Sequence, residues 1–274
     1  MIKQLINGVL SQQLSILDRG LHYGDGLFET VLLHNSTIYY LPEHYQRLQD
    51  GCRRLDIPLA SYDTIAHECR QLVADKYEGI LKIIITRGDS ERGYQYPPDL
   101  ASRRIILLYP LPNYPSQNAK SGVKTHLCQT RLGRQPALAG LKHLCRLEHV
   151  LARSEWRDPS IAEGIMLDTA ENVIEGTMSN IFIVENKTLV TPDLSQSGVR
   201  GILRQKIIDY AKILDISVRQ EIIPINRLIS ADEVFICNSI IGIWPIIKIA
   251  EYSFDLGQLT VKLMNMLKNL PVKE

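Results

Sequence analysis

Lys142 and Glu175 have the residue types and the surroundings that covalent chemistry on a carbonyl compound would require. Lys142 follows the apolar run 138–141 where a helix is predicted to begin, and partial burial there would lower the pKa of its amine and make it nucleophilic. Glu175 lies between two runs of strand-forming residues. Such an amine can form a Schiff base, and such a carboxylate can hold a protonated ring nitrogen. Either residue taken alone is more often an ordinary surface residue.

Three further features could bind a phosphate group. Gly201 precedes a predicted helix, whose first backbone N–H groups can bind an anion that the glycine allows to approach closely. Ser239 follows the apolar strand 234–237 and could add a hydroxyl, while Arg47 on another predicted helix could add a planar donor. Without a phosphate to bind, Gly201 would belong to an ordinary loop-to-helix junction, and Arg47 would lie on a solvated helix face. Together with the lysine and the carboxylate, they predict pyridoxal 5′-phosphate (PLP) as a cofactor.

Apolar periodicity and turn residues predict an α+β first half and further helices and strands in the second half, so that the fold class is α+β or α/β. In the first half we predict a hairpin of 27–33 with 37–40, helices over 42–55 and 61–77, and strands over 81–86 and 104–109. In the second half we predict helices over 143–157, 201–214 and from 257, with strands over 163–168, 178–185, 187–191, 218–222, 232–237 and 243–249. Three prolines in 110–121 predict a linker. The predicted division is an N-terminal domain 1–111, a linker 112–121 and a C-terminal PLP-binding domain 122–274.

Composition excludes several classes of function. The chain has 31 Lys and Arg against 30 Asp and Glu, which argues against nucleic-acid binding driven by net charge. No apolar run approaches the roughly 20 residues of a membrane span, and the first residues lack a signal-peptide layout. The five cysteines are scattered and lack zinc-site spacing. We therefore expect a cytoplasmic protein with reduced thiols, no metal, and neither a nucleic acid nor a membrane as a partner.

The motifs resemble those of the fold-type IV PLP enzymes, the group of branched-chain aminotransferases, D-amino-acid aminotransferases and 4-amino-4-deoxychorismate lyases. The similarity covers nearly the whole chain and includes residues 18–30 (DRGLHYGDGLFET), 44–48 (HYQRL) and 138–148 (LAGLKHLCRLE). It implies two domains, a smaller α+β one followed by a larger one with a barrel-like sheet and helices. It further implies a homodimer. The roles that it implies are Schiff-base formation for Lys142, pyridinium binding for Glu175 and phosphate binding for Arg47, Ser239 and the backbone amides of Ile202 and Leu203.

Within this group the chain is most similar to the aminodeoxychorismate lyases, which form 4-aminobenzoate and pyruvate for folate synthesis. Thr30 stands where branched-chain aminotransferases carry glycine, so the resemblance implies that it assists the leaving oxygen. The two carboxylates of the substrate would be bound by Arg92, with Tyr94 beside it, or by Arg146. Cys145 departs from the asparagine of the lyase pattern.

Two alternatives remain open from the sequence. One is a D-amino-acid or branched-chain aminotransferase, which would use the same lysine, glutamate and phosphate site, so that those residues cannot discriminate. The other is a PLP-binding homologue without turnover. The retention of Lys142 and Glu175 argues against that reading, because binding alone does not need an electron sink.

Overall fold

The computed structural model describes residues 3–73 and 78–268, whose contacts divide the chain into two compact units. The first unit contains the described residues up to Pro112 together with the segment Leu141–Cys145. The second contains Asn113–Gly140 and the described residues from Arg146 onward. The domain limits taken from the sequence stay a prediction. Part of the predicted linker is helical, and the segment that carries Lys142 groups with the first unit rather than with residues 146 onward.

The first unit is an antiparallel six-stranded sheet with helices. Its elements are β1 (Lys3–Ile6), β2 (Val9–Leu10), α1 (Arg19–Tyr23), β3 (Gly26–His34), β4 (Thr37–Ile38), α2 (Leu41–Leu55), α3 (Tyr62–Leu72), β5 (Gly79–Thr86) and β6 (Arg103–Tyr109). The strand order is β2-β1-β6-β5-β3-β4. The predicted hairpin is confirmed: β3 and β4 are joined by two residues, Asn35 and Ser36, that have φ angles of 50° and 61°. Two left-handed residues give a hairpin turn the twist that matches its strands.

Strand β3 separates the unit into two faces because successive side chains of a strand point to opposite sides. Leu27, Val31 and Leu33 are buried and form a core with Leu48 and Cys52 of α2. Glu29 points to this buried side, while Phe28 and Thr30 alternate with these residues and are half-buried. Because the core occupies one face of β3, the opposite face, which carries Phe28 and Thr30, is the one left for chemistry.

Two predicted helices are shorter than expected. The helix predicted over 61–77 begins at Tyr62 and ends at Leu72, and residues 74–77 lie outside the described residues. The helix predicted over 143–157 is confined to 147–153. Residues 142–144 are not helical, because the backbone of Lys142 and Leu144 forms hydrogen bonds with β3 instead. Lys142 is therefore not at a helix start, and that prediction was wrong.

The second unit is built on a nine-stranded sheet that closes on itself. Its elements are α4 (Gln117–Ser121), β7 (Val123–Leu132), α5 (Leu147–Arg153), β8 (Ile161–Asp168), β9 (Val173–Gly176), β10 (Asn180–Glu185), β11 (Thr188–Pro192), α6 (Ile202–Ile213), β12 (Val218–Glu221), α7 (Ile225–Ile229), β13 (Glu233–Asn238), β14 (Gly242–Ile249), β15 (Tyr252–Ser253) and α8 (Gln258–Lys268). Strands β10, β13, β14, β7, β8 and β9 pair in that order, and the pairing of Asn180 with Glu175 joins β9 back to β10. This ring confirms the barrel-like sheet that was predicted.

Alternate side chains of β10 join two different apolar clusters. Ile181 and Ile183 pack in one cluster with Ile236, whereas Phe182 packs with Phe235 and with Ile207 of α6 in the other. Helix α6 thus packs on one face of the sheet. Within the part of the chain that the structure describes, no helix is long and apolar enough to cross a membrane.

Candidate active site

The segment Leu141–Cys145 holds Lys142 against the start of β3. The N–H of Phe28 donates to the carbonyl of Lys142 at 2.9 Å, and the N–H of Leu144 donates to the carbonyl of Gly26 at 3.0 Å. This antiparallel pairing puts the side chains of Lys142 and Phe28 on the same side. The Nζ atom of Lys142 lies 4.4 Å from the centroid of the Phe28 ring, close enough for a cation–π interaction. The amine is therefore placed by backbone pairing and an aromatic face.

Cys145, at the end of this segment, contacts the end of α1. Its Sγ lies 3.4 Å from the carbonyl oxygen of Tyr23 and 3.7 Å from that of Gly24, as a weak donor to both. Gly24 has a φ angle of 64°, and a Cβ there would approach the Cys145 Sγ to 2.4 Å. A glycine is required at this position on both grounds. The residue that departs from the lyase pattern thus packs tightly against the end of α1.

Glu29 forms a buried charged cluster with Arg47 and His44 on the other side of β3. The Nε of Arg47 donates to Glu29 Oε1 at 2.8 Å, its Nη2 donates to Oε2, and Nδ1 of His44 lies 2.6 Å from Oε2. Burial acts to raise the pKa of Glu29, but the Arg47 charge and these hydrogen bonds outweigh it and lower that pKa to about 2. Burial also lowers the pKa of His44. Arg47, predicted to bind phosphate, is therefore oriented by Glu29 through two of its nitrogens.

The half-buried face of β3 carries Thr30 and, across from it, a second lysine. Thr30 pairs with Lys82 of β5 in the strand register, and Lys82 Nζ lies 5.3 Å from the centroid of the Phe28 ring. Phe28 is thus flanked by two ammonium groups, those of Lys82 and Lys142. Sequence reasoning missed Lys82. Its signal was a lysine inside the apolar run 80–85, a position where a charge is unusual unless it has a purpose.

The predicted substrate-binding loop is anchored by buried residues. The guanidinium of Arg19 donates to the carbonyls of Gly93 and Tyr94, each at 3.0 Å, and the N–H of Gly93 donates to the Tyr23 hydroxyl at 2.9 Å. The side chains of Arg92 and Tyr94 themselves are exposed. Hydrogen bonds therefore fix the backbone of this loop, while the contacts of Arg92 and Tyr94 with substrate stay a prediction.

Glu175 of β9 is buried and contacts two donors in the second unit. Its Oε1 lies 3.0 Å from Nε2 of His149 on α5, and its Oε2 accepts the N–H of Val199 at 2.8 Å. Sequence reasoning missed His149, the third residue of α5, because nothing in its local sequence indicated a partner 26 residues away. Arg146, predicted to contact substrate, directly precedes α5 and is half-buried.

A second buried carboxylate, Glu163, accepts more hydrogen bonds than Glu175 does. Glu163 accepts five hydrogen bonds, all from uncharged groups of Gly164, Thr177, Met178 and Ser179. A carboxylate offers about four lone-pair positions, so Glu163 is saturated and fixes the turn after β9. Burial raises its pKa, although these hydrogen bonds act in the opposite direction. Glu175, with two donors, retains capacity for another, as binding of a pyridinium N–H requires.

The N-terminus of α6 has the properties of an anion site. The helix begins at Ile202, after Gly201, and the N–H groups of its first turn, including those of Ile202 and Leu203, have no preceding helical carbonyl to bind. A Cβ on Gly201 would lie 1.9 Å from Oδ1 of Asn180, so no larger residue fits. Arg204, in the same turn, is buried and donates to three neutral oxygens. Its positive charge is thus left to favour an anion nearby.

Ser239 lies in the turn between β13 and β14. The neighbouring Asn238 shapes this turn, since its Oδ1 accepts the N–H groups of Ile240 and Ile241 at 2.8 and 2.9 Å. Its Nδ2 donates to the carbonyl of Met178 at 3.0 Å. The turn that carries Ser239 is therefore tied to the turn after Glu175, and the phosphate role of Ser239 stays a prediction.

Each unit, taken by itself, contains groups of the types that PLP chemistry needs. The first unit has a primary amine beside an aromatic ring and an oriented guanidinium. The second has a buried carboxylate with room for a further hydrogen bond and a helix N-terminus reinforced by a buried arginine. The amine fits the aldehyde of PLP, the carboxylate fits its pyridine nitrogen, and the guanidinium and the helix N-terminus each fit its phosphate.

Comparison with known proteins agrees with this chemistry. The structure is similar to the crystal structure of a 4-amino-4-deoxychorismate lyase from Pseudomonas aeruginosa, with a TM-score of 0.94 and 44% identity, covering 97% of this chain and 98% of that one. The sequence is 32% identical to an aminodeoxychorismate lyase from Vibrio harveyi over 96% of this chain and 98% of that protein. It is 31% identical to a putative branched-chain-amino-acid aminotransferase from Methanocaldococcus jannaschii over 95% of this chain and 92% of that protein.

The family assignment covers most of the chain. The sequence model for amino-transferase class IV matches residues 26–249, which include Lys142, Glu175 and the helix N-terminus after Gly201. The resemblance to fold-type IV enzymes and the PLP requirement inferred from the sequence are both confirmed. The chain therefore belongs to the class IV aminotransferase family, whose members depend on pyridoxal 5′-phosphate.

Proposed function

We propose that this protein is an aminodeoxychorismate lyase, which converts 4-amino-4-deoxychorismate to 4-aminobenzoate and pyruvate and thereby serves folate synthesis. The observation that carries the proposal is the match to a 4-amino-4-deoxychorismate lyase, at 44% identity, along 97% of the chain. Structures of branched-chain aminotransferases are also similar, but at 25% identity. A small molecule that carries an amine is the substrate in either case.

Lys142 and Glu175 would have complementary roles in this reaction. When bound, PLP supplies a carbonyl that takes up an amine and a ring that accepts the electron pair released at the neighbouring carbon. The Lys142 amine would hold the cofactor and then move the proton of the amine-bearing carbon. Glu175 would keep a proton on the ring nitrogen. Arg47, the amides of Ile202 and Leu203, and Ser239 would bind the phosphate.

Thr30 would assist the departure of pyruvate. It shares a face of β3 with Phe28, above which Lys142 Nζ lies, and its hydroxyl can donate to the enolpyruvyl oxygen as the carbon–oxygen bond breaks. Loss of that oxygen and of one ring proton makes the six-membered ring aromatic, which drives the reaction forward. The released enol takes up a proton and becomes pyruvate.

The two carboxylates of the substrate require cationic donors. Lys82 lies opposite Thr30 on the same face, so we propose it as one of them, although sequence reasoning did not select it. Arg92, with Tyr94 beside it on the anchored loop, would be another, and Arg146 is a further candidate. A lysine opposite Thr30 supports an anionic substrate, because a negative charge nearby stabilises a half-buried ammonium.

An assay of products tests the proposal. The PLP-loaded protein is incubated with enzymatically generated aminodeoxychorismate, and 4-aminobenzoate and pyruvate are quantified. Equal amounts of both, absent from the apo protein, are expected. No product, together with amino transfer from D-alanine or leucine to 2-oxoglutarate, would instead assign the protein to the aminotransferases. Binding of PLP without turnover of any of these substrates would favour a non-catalytic homologue.

We also propose a cytoplasmic homodimer. Leu147, Val150 and Leu151 of α5 are 77%, 61% and 58% exposed, and this i, i+3, i+4 spacing forms one apolar stripe. A second copy would cover it. Leu151→Asp is expected to halve the mass measured by light scattering, whereas Ile213→Asp, at an exposed position on α6, should leave the mass unchanged. A Leu151→Asp variant that keeps the full mass would contradict this interface.

A further inference from the structure

We propose that His149 is a positioning residue that sets the charge state of Glu175. In this inference, which rests on the proposed role of Glu175, His149 donates a hydrogen bond that keeps the carboxylate ionised. The proton shared between Glu175 and the cofactor is thereby placed on the ring nitrogen. His149 acts through Glu175 and needs no contact with substrate.

The contact is close and protected from solvent. Nε2 of His149 lies 3.0 Å from Oε1 of Glu175, and the two side chains are 12% and 3% exposed. The backbone N–H of Val199 occupies Oε2 from the other side at 2.8 Å. Shielding from water makes each of these hydrogen bonds stronger than it would be at the surface.

The second ring nitrogen of His149 identifies the tautomer. Nδ1 is buried and contacts no hydrogen-bond partner in the described residues. A proton on Nδ1 instead of Nε2 would leave a buried donor unsatisfied and would set the lone pair of Nε2 against a carboxylate oxygen. Nε2 therefore carries a proton, and that proton points at Glu175.

A hydrogen-bond donor to the Glu175 carboxylate moves the shared proton towards the ring nitrogen of the cofactor. Hydrogen bonds to the ionised form of an acid stabilise that form. If the His149 donor is lost, the Val199 N–H is left as the direct donor among the described residues, and it opposes burial, which favours the neutral acid. The proton would then reside on the carboxyl instead of the ring nitrogen, and the cofactor ring would withdraw electrons less strongly.

Few other groups can take over this role. Val199 donates to the other oxygen from the loop before α6. From α6, the charge of Arg204 is felt by Glu175, but its hydrogen bonds go to Thr191, Pro192 and Gln220. His149 is thus the side chain among the described residues that donates directly to Glu175.

The experiment measures the protonation of the ring nitrogen in the resting holoenzyme. PLP labelled with ¹⁵N in the ring is loaded into the wild type, His149→Leu and His149→Gln, and the ¹⁵N chemical shift is recorded by NMR, since it separates a protonated from an unprotonated ring nitrogen. Leucine removes the donor, whereas glutamine keeps an N–H donor. His126→Leu is the matched control, because His126 forms a pair of the same 3.0 Å length with Glu155.

We expect the ring nitrogen to be protonated in the wild type, His149→Gln and His126→Leu, and to lose its proton in His149→Leu. Turnover should follow, with kcat about tenfold lower in His149→Leu and KM little changed. A protonated nitrogen in His149→Leu, or equal loss in His149→Gln, would overturn the inference. If His149→Leu does not fold, His149→Asn replaces it, since its shorter amide cannot reach Glu175. An unprotonated nitrogen in the wild type would instead contradict the role of Glu175.

Discussion

The two units each bury a glutamate, but they satisfy the two carboxylates differently. In the first unit Glu29 contacts the charged guanidinium of Arg47 and the ring of His44. In the second unit Glu175 contacts the ring of His149 and the backbone N–H of Val199. The first carboxylate thus has an arginine in direct hydrogen-bond contact. Among the described residues, the second has neither an arginine nor a lysine in such contact.

This difference separates a structural carboxylate from one that is prepared for a ligand. A buried carboxylate with a bound cation is already neutralised, and its pKa falls because the ionised form is stabilised. A buried carboxylate without such a cation still gains when one arrives. This difference supports the pyridinium role proposed for Glu175, while Glu29 holds Arg47 in place.

The largest effect is expected from Lys142→Ala, which removes the reacting group of the first unit. Turnover should fall by at least about 10³-fold, since both the amine that holds the cofactor and the base are lost. The visible absorption band of the bound cofactor should disappear. Lys82→Ala is the matched comparison, because Lys82 flanks the same Phe28 ring. It should keep that band and raise KM. A normal band in Lys142→Ala would show that another amine holds the cofactor.

Glu175→Gln tests the role of the buried carboxylate in the second unit. An amide cannot supply the negative charge that keeps the ring nitrogen protonated, so kcat should fall by about 10²-fold or more. PLP should remain bound through its phosphate, which titration of the apo protein with cofactor can measure. Activity within a few-fold of the wild type would mean that the carboxylate charge is not used.

Much of the fold could be predicted from local sequence signals. The turn residues Asn35 and Ser36 predicted the β3–β4 hairpin, and Gly201 before an apolar run predicted α6. The strand β7 was missed, because its pairing with β8 shifts register between Leu127 and Arg131. An irregular strand does not show a clean alternation of apolar and polar residues. The early start predicted for α5 has a similar cause, since His143 and Leu144 fit a helical spacing while their backbone pairs with a strand more than a hundred residues earlier.

The residues with proposed chemical roles also differ in whether the local sequence could identify them. Lys142 and Glu175 stand in recognisable local motifs, so the sequence alone could propose them as candidates. Lys82 and His149 have meaning only through partners distant in the sequence: Lys82 through the register of β3 with β5, and His149 through Glu175. Local sequence records the residue type but not the pairing, which is why these two roles required the structure.

Glu29→Gln should affect stability more than Glu175→Gln does. The pKa of Glu29 lies at about 2, below its ordinary value of 4.5, a difference worth about 3 kcal/mol of folding free energy. Because the folded pKa is depressed, this contribution is complete above about pH 4.5 and is lost as the pH falls towards 2. Urea unfolding of the apo proteins at pH 7, 5, 4 and 3 measures it.

In this series Glu29→Gln should be less stable at pH 7 and should lose less of its remaining stability on acidification than the wild type. Glu175→Gln, which breaks no bond to a cation, should lose less stability at pH 7. Equal losses in the two variants would erase the distinction between the two carboxylates.

The smallest effect is expected from Thr30→Val, which removes a hydroxyl with little change of shape. If Thr30 donates to the leaving oxygen, kcat should fall about tenfold to a hundredfold while KM changes little, because the hydrogen bond forms only as the carbon–oxygen bond breaks. Thr30→Ser keeps the hydroxyl and should retain most of the rate. The visible spectrum should be unchanged in both variants, since Thr30 lies apart from the backbone pairing that places Lys142. Steady-state kinetics of the three proteins tests this role. Equal kcat values in the wild type and Thr30→Val would remove Thr30 from the reaction. Lys82 would then be the residue on this face of β3 and β5 with a proposed role towards the substrate.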